Sequence, residues 1–300
     1  RQVSWSLNVG LPSKGRGDDR FEAIYARIVK AAVWLVPGDS PITKRAVDAA
    51  LTGLCESAWL PFARIHYYPE AAAQLASLIF SPHRPEGCLL VVDVGAGTLD
   101  ISTIRIGGSA TGARCVFHCC EVAPLGVHFL HLAGSGQAYE RRDAAEFDRL
   151  VESIPVDDGT HAISGIHAKG APARFQEACK EVILKNVVTY RKHLKGAHLS
   201  RNFKPWPSGL PYVLSGGGRR VEYFQQLLSD DLRHWLDTVC SEWDQTLTGG
   251  PKRGLTLRPF PTPKAFEPRF LAADFDRFSV AHGLSLGVDN LMQVTQARVD

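Results

Sequence analysis

The chain is expected to fold as a mixed α/β protein in two lobes, and three observations predict it. Segments with a strand period of two alternate with segments of helical period. Two apolar stretches, CLLVVDV (88–94) and PYVLS (211–215), each run straight into a glycine turn. The 300 residues are 45% hydrophobic, enough apolar material for more than one core.

The elements follow in order. VSWSLNV sets Val3, Trp5, Leu7 and Val9 on one face and Ser4, Ser6 and Asn8 on the other, a half-buried strand stopped by Gly10-Leu11-Pro12. Asp18 or Asp19 can cap a helix in which Phe21, Ile24, Ile28, Ala31 and Leu35 share a face, and Pro37-Gly38 ends it. A second helix covers the forties and fifties. PEAAAQLASLIF begins a third at Pro69, with the proline in its first turn. CLLVVDV is apolar almost throughout, so it belongs in the middle of a sheet covered on both faces. DISTIRI and RCVFHCCEV follow as two further strands, joined by short turns into a meander.

Residues 141–172 are polar and weakly patterned, and a peripheral subdomain is expected at about 141–205. Within it, Cys179, Val182, Ile183, Asn186, Val187, Tyr190 and Leu194 trace a long amphipathic helix. PYVLSGGGRRV repeats strand, glycine turn and helix, the helix carrying Val221, Phe224 and Leu228. Residues 249–268 hold five prolines and read as extended loop, and FSVAHGLSLG closes the chain as a helix. The first lobe is placed at 1–87 and the second at 88–300.

Composition excludes several partners. The 34 basic and 31 acidic side chains leave a net charge of +3, without a basic stripe interleaved with aromatics, so no nucleic acid is expected. RKHLK, from Arg191, reads as the solvated face of a helix. No apolar run approaches the roughly 18 residues that span a bilayer, so no membrane is expected either. Seven cysteines, an odd number set in apolar stretches, suit reduced buried thiols in a cytoplasmic protein. Cys115, His118, Cys119 and Cys120 mimic a metal cluster, but alternation along one strand separates them, and they read as core. His128 and His131 read as structural or exposed, and Arg16-Gly17-Asp18 as loop and helix cap. Ser215 is no nucleophile elbow, because Val213 stands where that turn needs glycine. The chain opens on Arg1 and enters a strand almost at once, as a fragment would.

The chemistry concentrates in Asp93-Val-Gly95-Ala96-Gly97-Thr98-Leu-Asp100. Backbone N–H groups of such a turn can reach phosphate oxygens that a side chain would keep away, and Thr98 adds a hydroxyl. Asp93 can hold a water in the shell of Mg²⁺, an ion that keeps several waters and takes few direct carboxylates. The competing reading is a plain β-hairpin with a glycine turn. Gly216-Gly217-Gly218-Arg219-Arg220 follows the other strand. It would let a base or ribose approach the backbone while an arginine stacks on a purine. Its rival is the strand–glycine–helix turn of many α/β proteins.

DVGAGTLDIS resembles the second phosphate loop of the actin-like ATPase superfamily, which includes actin, sugar kinases and the 70-kDa heat-shock chaperones. LSGGGRRV resembles its adenosine loop. YPEAAAQLA is similar to the chaperones' connecting segment, VAHGLS to the last helix of their ATPase domain, and SWSLNVGLP to a strand and loop of their first lobe. The resemblance is closest to the heat-shock-70-like branch. It implies an actin-like, ribonuclease H-like two-lobe fold whose first lobe is incomplete, binding ATP and Mg²⁺. Asp93, Thr98 and Glu70 would be the catalytic residues, and Asp93 would also serve the metal through its water. Gly95, Ala96, Gly97 and Thr98 would hold phosphate oxygens, Gly216, Gly217 and Gly218 the adenosine, and Arg220 would lie on the adenine.

The chain departs from that pattern in places. Ala96 replaces a glycine usual in the chaperones, as elsewhere in the superfamily. Tyr68 stands where they have glutamate, with Glu70 two residues on. No strand–glycine–threonine loop is read before residue 93, so the first phosphate loop and its lysine are expected to be absent from this chain, and the stretch after VAHGLS is expected to be too short for the chaperones' β-sandwich. In the intact protein slow ATP hydrolysis would drive lobe closure, with a protein client or co-chaperone as possible partner. This chain alone is expected to bind nucleotide weakly and turn over little. A degenerate non-catalytic scaffold and a filament-forming actin relative are the alternative readings.

Overall fold

A computed structural model of the chain describes residues 6–12, 19–35, 42–54, 64–81, 84–85, 87–108, 112–134, 173–196, 210–228, 255–257, 275–286 and 293–296. The Arg-Gly-Asp triplet and residues 141–172 lie outside them. Among the described residues there are two sheets. In the smaller, β1 (Ser6–Leu11) runs parallel to β2 (Arg64–Pro69). Between them come α1 (Asp19–Leu35) and α2 (Lys44–Ala49), the latter continued by a π turn at Ala50–Leu54.

The larger sheet has six strands: β3 (Gly87–Val94), β4 (Leu99–Gly107), β5 (Arg114–Ala123), β6 (Leu210–Ser215), β7 (Leu255–Leu257) and β8 (Gln293–Gln296). Their spatial order is β7-β6-β3-β4-β5-β8. β3, β4 and β5 form the antiparallel meander, while β6 lies parallel to β3 and β7 parallel to β6. Counted from β3, that is the order 5-4-1-2-3 of the ribonuclease H-like sheet in the actin-like ATPase fold, as the motifs implied, with β8 added parallel to β5 at the far edge.

Both faces of this sheet are covered, as the continuous apolar run of β3 requires. On one face Cys88, Leu90, Val92 and Val94 meet α5 (Val127–Gly134), α6 (Ala173–Gly196) and α7 (Glu222–Gln226). Of the 141–205 stretch, α6 lies in this core: Phe175, Cys179, Ile183, Val187 and Tyr190 are all buried there. Asn186 shares the stripe and is fully buried, its amide donating to Ile101 O at 3.0 Å while its carbonyl accepts from the Thr103 hydroxyl. Tyr190 also meets the Cys88 thiol. On the opposite face Leu89 and Val91 meet α3 (Glu70–Gln74), α4 (Ala76–Ile79) and α8 (Phe275–Ser285).

Several expectations need correction. RIHYYP is a strand, β2, so Pro69 ends that strand and stands before the helix, not inside its first turn. That helix is itself offset at Leu75 into α3 and α4. The α1 face is buried only at its C-terminal end: Ala31 and Leu35 pack with Ala50 and Leu51 in a small core, whereas Phe21, Ile24 and Ile28 are exposed. Leu255–Leu257, inside the proline-rich loop, forms a short edge strand. His128 and His131 sit on helix α5, half-buried and exposed respectively, as the bland reading had it.

A bulge changes the cysteine strand. Register passes from Thr103 opposite Cys119 to Ile104 opposite Phe117, leaving His118 as the extra residue. Cys120 therefore turns to the same face as Cys115 and Phe117 and packs there. Among the described residues no cluster of three or more His, Cys, Asp or Glu could hold a metal ion, no cysteine is in a disulfide, and no helix is long and apolar enough to cross a membrane.

Candidate functional site

Three carboxylates meet where β3, β4 and α3 come together. Asp93 is the penultimate residue of β3 and pairs across the ladder with Asp100 of β4. Strand alternation puts both on the face that looks towards α3, whose first residue is Glu70. Burial pushes the Glu70 carboxyl above its ordinary range, and the charge of Asp93 adds to this. Burial likewise raises Asp100, to about 6, against the pull of a hydrogen bond from Thr98 and with help from the charges of Asp93 and Glu70. The three residues thus share one electrostatic field.

Residues 95–98 form the turn between β3 and β4. The Gly95 N–H closes it on Thr98 O at 2.8 Å. Its remaining carbonyls are taken by the start of α5: Val127 N–H donates to Gly95 O at 3.1 Å, His128 N–H to Ala96 O at 2.8 Å, and Gly126 N–H to Gly97 O at 3.2 Å. In a trans peptide the N–H points opposite to its carbonyl. Tying these carbonyls to α5 therefore turns the N–H groups of Ala96, Gly97 and Thr98 away from it. Among the described residues these three donate to no backbone carbonyl. Such a run of outward N–H groups is an arrangement that can hold an anion. Gly126 makes the approach possible, because a Cβ there would lie 2.6 Å from Ala96 O and from Thr98 N.

The second glycine turn packs directly on the first. Gly216 has φ of 79°, and a Cβ on it would fall 2.2 Å from Asp93 Oδ1 and 2.4 Å from Val94 O. Gly218 is buried, its missing Cβ replaced by contacts with Val94 and Val127, whereas Gly217 opens on free space. Gly217–Arg220 form a 3-10 turn that carries the exposed Arg220. Ser215 is fully buried and its hydroxyl donates to Val92 O at 3.2 Å, a structural role.

The structure thus brings Asp93, Glu70, Asp100, the 95–98 turn and the 216–218 turn together. Glu70 rather than position 68 reaches the site: Tyr68 is buried in the core with Ala72 and Leu75. Gly10 of β1 also closes on it, since a Cβ there would lie 2.8 Å from Glu70 Cγ. Sequence reasoning missed Gln74. It is 1% exposed, and its amide Nε2 donates to Asp93 Oδ2 at 2.8 Å. The available signal was a lone amide inside the apolar helix AAAQLA.

Neither a family model nor a curated protein matches the chain. Among solved structures it is similar to an archaeal actin homologue, Ta0583, at 16% identity and a TM-score of 0.31, over 74% of this chain and 55% of that one. It is similar to the apo pSK41 ParM protein at 13% and 0.31, over 95% and 63%. A PilM–PilN type IV pilus biogenesis complex follows at 18% and 0.33, over 80% and 56%. The chain therefore spans between about half and two thirds of the length of these structures. Each likeness is too weak to speak for site or activity, and the fold rests on the chain's own strand order and sense.

Proposed function

We propose that the chain carries the phosphate- and adenosine-binding half of an ATP site. The observation that carries the reading is the backbone of residues 95–98: its carbonyls are bound by α5, its N–H groups face outward, and Asp93 stands at its edge. Those N–H groups and the Thr98 hydroxyl suit β- and γ-phosphate oxygens, while Gly217, next to the Gly216 that packs on Asp93, leaves the backbone open to a nucleoside that Arg220 can cover.

A magnesium ion fits this donor set as a partner of the phosphates. Magnesium keeps several waters and takes few direct carboxylates, so one carboxylate at the edge of the turn suits an ion that arrives with its nucleotide. Asp93 would hold one of those waters. When bound, the ion would supply charge neutralisation at the phosphates. Glu70, its carboxyl raised by burial and by Asp93, would orient an attacking water and accept its proton. Phosphoryl transfer is mostly positioning and charge stabilisation, so slow hydrolysis is the expected activity of the intact protein. The heat-shock-70-like branch is favoured by YPEAAAQLA and VAHGLS, which supply α3 and α8; a client or co-chaperone belongs to that reading.

Thermal unfolding with and without ligand tests the site. ATP with Mg²⁺ should raise Tm, by a linkage of about 2.7 kcal/mol at a hundredfold excess over Kd. Gly97→Val should abolish the increment by crowding the turn. An unchanged wild-type Tm at millimolar ATP and Mg²⁺ would contradict the proposal.

A further inference from the structure

We infer that Gln74 is a positioning residue, holding Asp93 in the orientation that a magnesium-bound phosphate requires; the inference rests on the nucleotide reading above. Gln74 ends the five-residue helix α3 and lies among Ala72, Ala73, Leu75 and Ala76 in the core beneath the sheet. An amide in such a place costs stability unless it is hydrogen-bonded. Its Nε2 donates to Asp93 Oδ2 at 2.8 Å, whereas its Oε1 is buried without a hydrogen-bond partner among the described residues. Half of the amide is thus left unsatisfied so that the other half can reach Asp93. An apolar side chain of the same length would fill this space without that cost.

The polarity of the contact is fixed. A carboxylate only accepts, so the amide must present its N–H₂, and the reversed rotamer would set Oε1 against Oδ2. The opposite oxygen, Oδ1, lies against Gly216, where even a methyl group would not fit. Gln74 and Gly216 therefore grip the carboxylate from two sides and fix its plane. A neutral donor is suited to this task. It orients Asp93 while leaving its charge available, whereas a lysine or arginine would cancel it. Groups that orient a ligand of the metal shell typically matter 10–100-fold in affinity or activity.

Gln74→Met and Gln74→Glu, both close to the native volume, separate positioning from packing. Titration calorimetry of ATP would be run with Mg²⁺ and with EDTA on wild type and both variants, with Tm as the control for folding. Gln74→Met should lose roughly tenfold of the affinity gained from Mg²⁺ while Mg²⁺-free binding stays within about twofold. Gln74→Glu, which offers an acceptor where a donor is needed, should lose more. A Gln74→Met protein with the full Mg²⁺ gain would overturn the inference. A second readout needs no nucleotide: the Gln74 side-chain amide proton in ¹⁵N-resolved spectra should be shifted downfield and slow to exchange, and both features should vanish in Asp93→Leu. If they persist, the contact is not there and the inference fails. Wild type without any Mg²⁺-dependent binding would instead sink the ATP reading, leaving the spectra to judge the contact.

Discussion

Asp93 is the residue around which the site is built, and it is legible because a carboxylate at the end of a buried strand requires a reason. Its company was less legible. Asp100 pairs across from it, but what raises Asp100 to about 6 is first its burial, and then the charges of Asp93 and of Glu70, 30 positions earlier in the chain. That shift has a sign that can be checked. The folded state holds the Asp100 proton more tightly than the unfolded chain, whose ordinary value is 3.8. Its contribution is therefore full below about pH 4 and is lost as pH rises through about 6. Asp100→Asn should raise Tm relative to wild type at about pH 8, with the difference vanishing near pH 4. Cysteine behaviour is a second test at this scale. Burial pushes the Cys88 thiol up to about 11 and Cys179 to about 12. Iodoacetamide at about pH 8 should leave both unmodified in the folded protein and label them after denaturation.

Elements were legible wherever a single stretch carried its own pattern. β3 announced itself by an unbroken apolar run, and α6 by a stripe of helical spacing. β2 did not, because RIHYYP mixes charge and aromatics, and its strand character comes from pairing with β1 more than 50 residues away. The bulge at His118 was hidden for a similar reason: alternation predicts faces only while the register is unbroken. Helix crossing is another property that no local pattern shows. Gly283 of α8 sits so close to α3 that a Cβ would lie 1.9 Å from Ala73 O. Gly283→Val should cost about 2–3 kcal/mol in chemical denaturation. Val280→Ile, which adds one methylene at a half-buried position of the same helix, should cost less than about 1.5 kcal/mol.

At the scale of the whole molecule the arrangement joins distant ends of the chain. Asn8 of β1 donates through Nδ2 to Leu284 O at 2.8 Å and to Leu286 O at 2.9 Å, satisfying carbonyls at the end of α8. Gly10, two residues on, lies against Glu70 and Leu284. The smaller sheet is thereby tied to both α3 and α8, the helices that cover the site's side of the larger sheet. The sequence shows the meander of the larger sheet and a later strand–glycine–helix unit, but that this later strand lies parallel beside β3 is seen only in the fold. The way in which the 216–218 turn closes on Asp93 is a contact across more than 120 residues, and only the fold shows it.

Whether the two turns hold one ATP is answered by calorimetric titration of ATP with Mg²⁺ into the full-length protein, with Asp93→Asn and Arg220→Ala alongside. Wild type should bind, Arg220→Ala should bind roughly tenfold more weakly, and Asp93→Asn should lose turnover with nucleotide still bound. Absence of binding by the wild-type protein would contradict the ATP reading, and the glycine turns would then be architecture without a ligand.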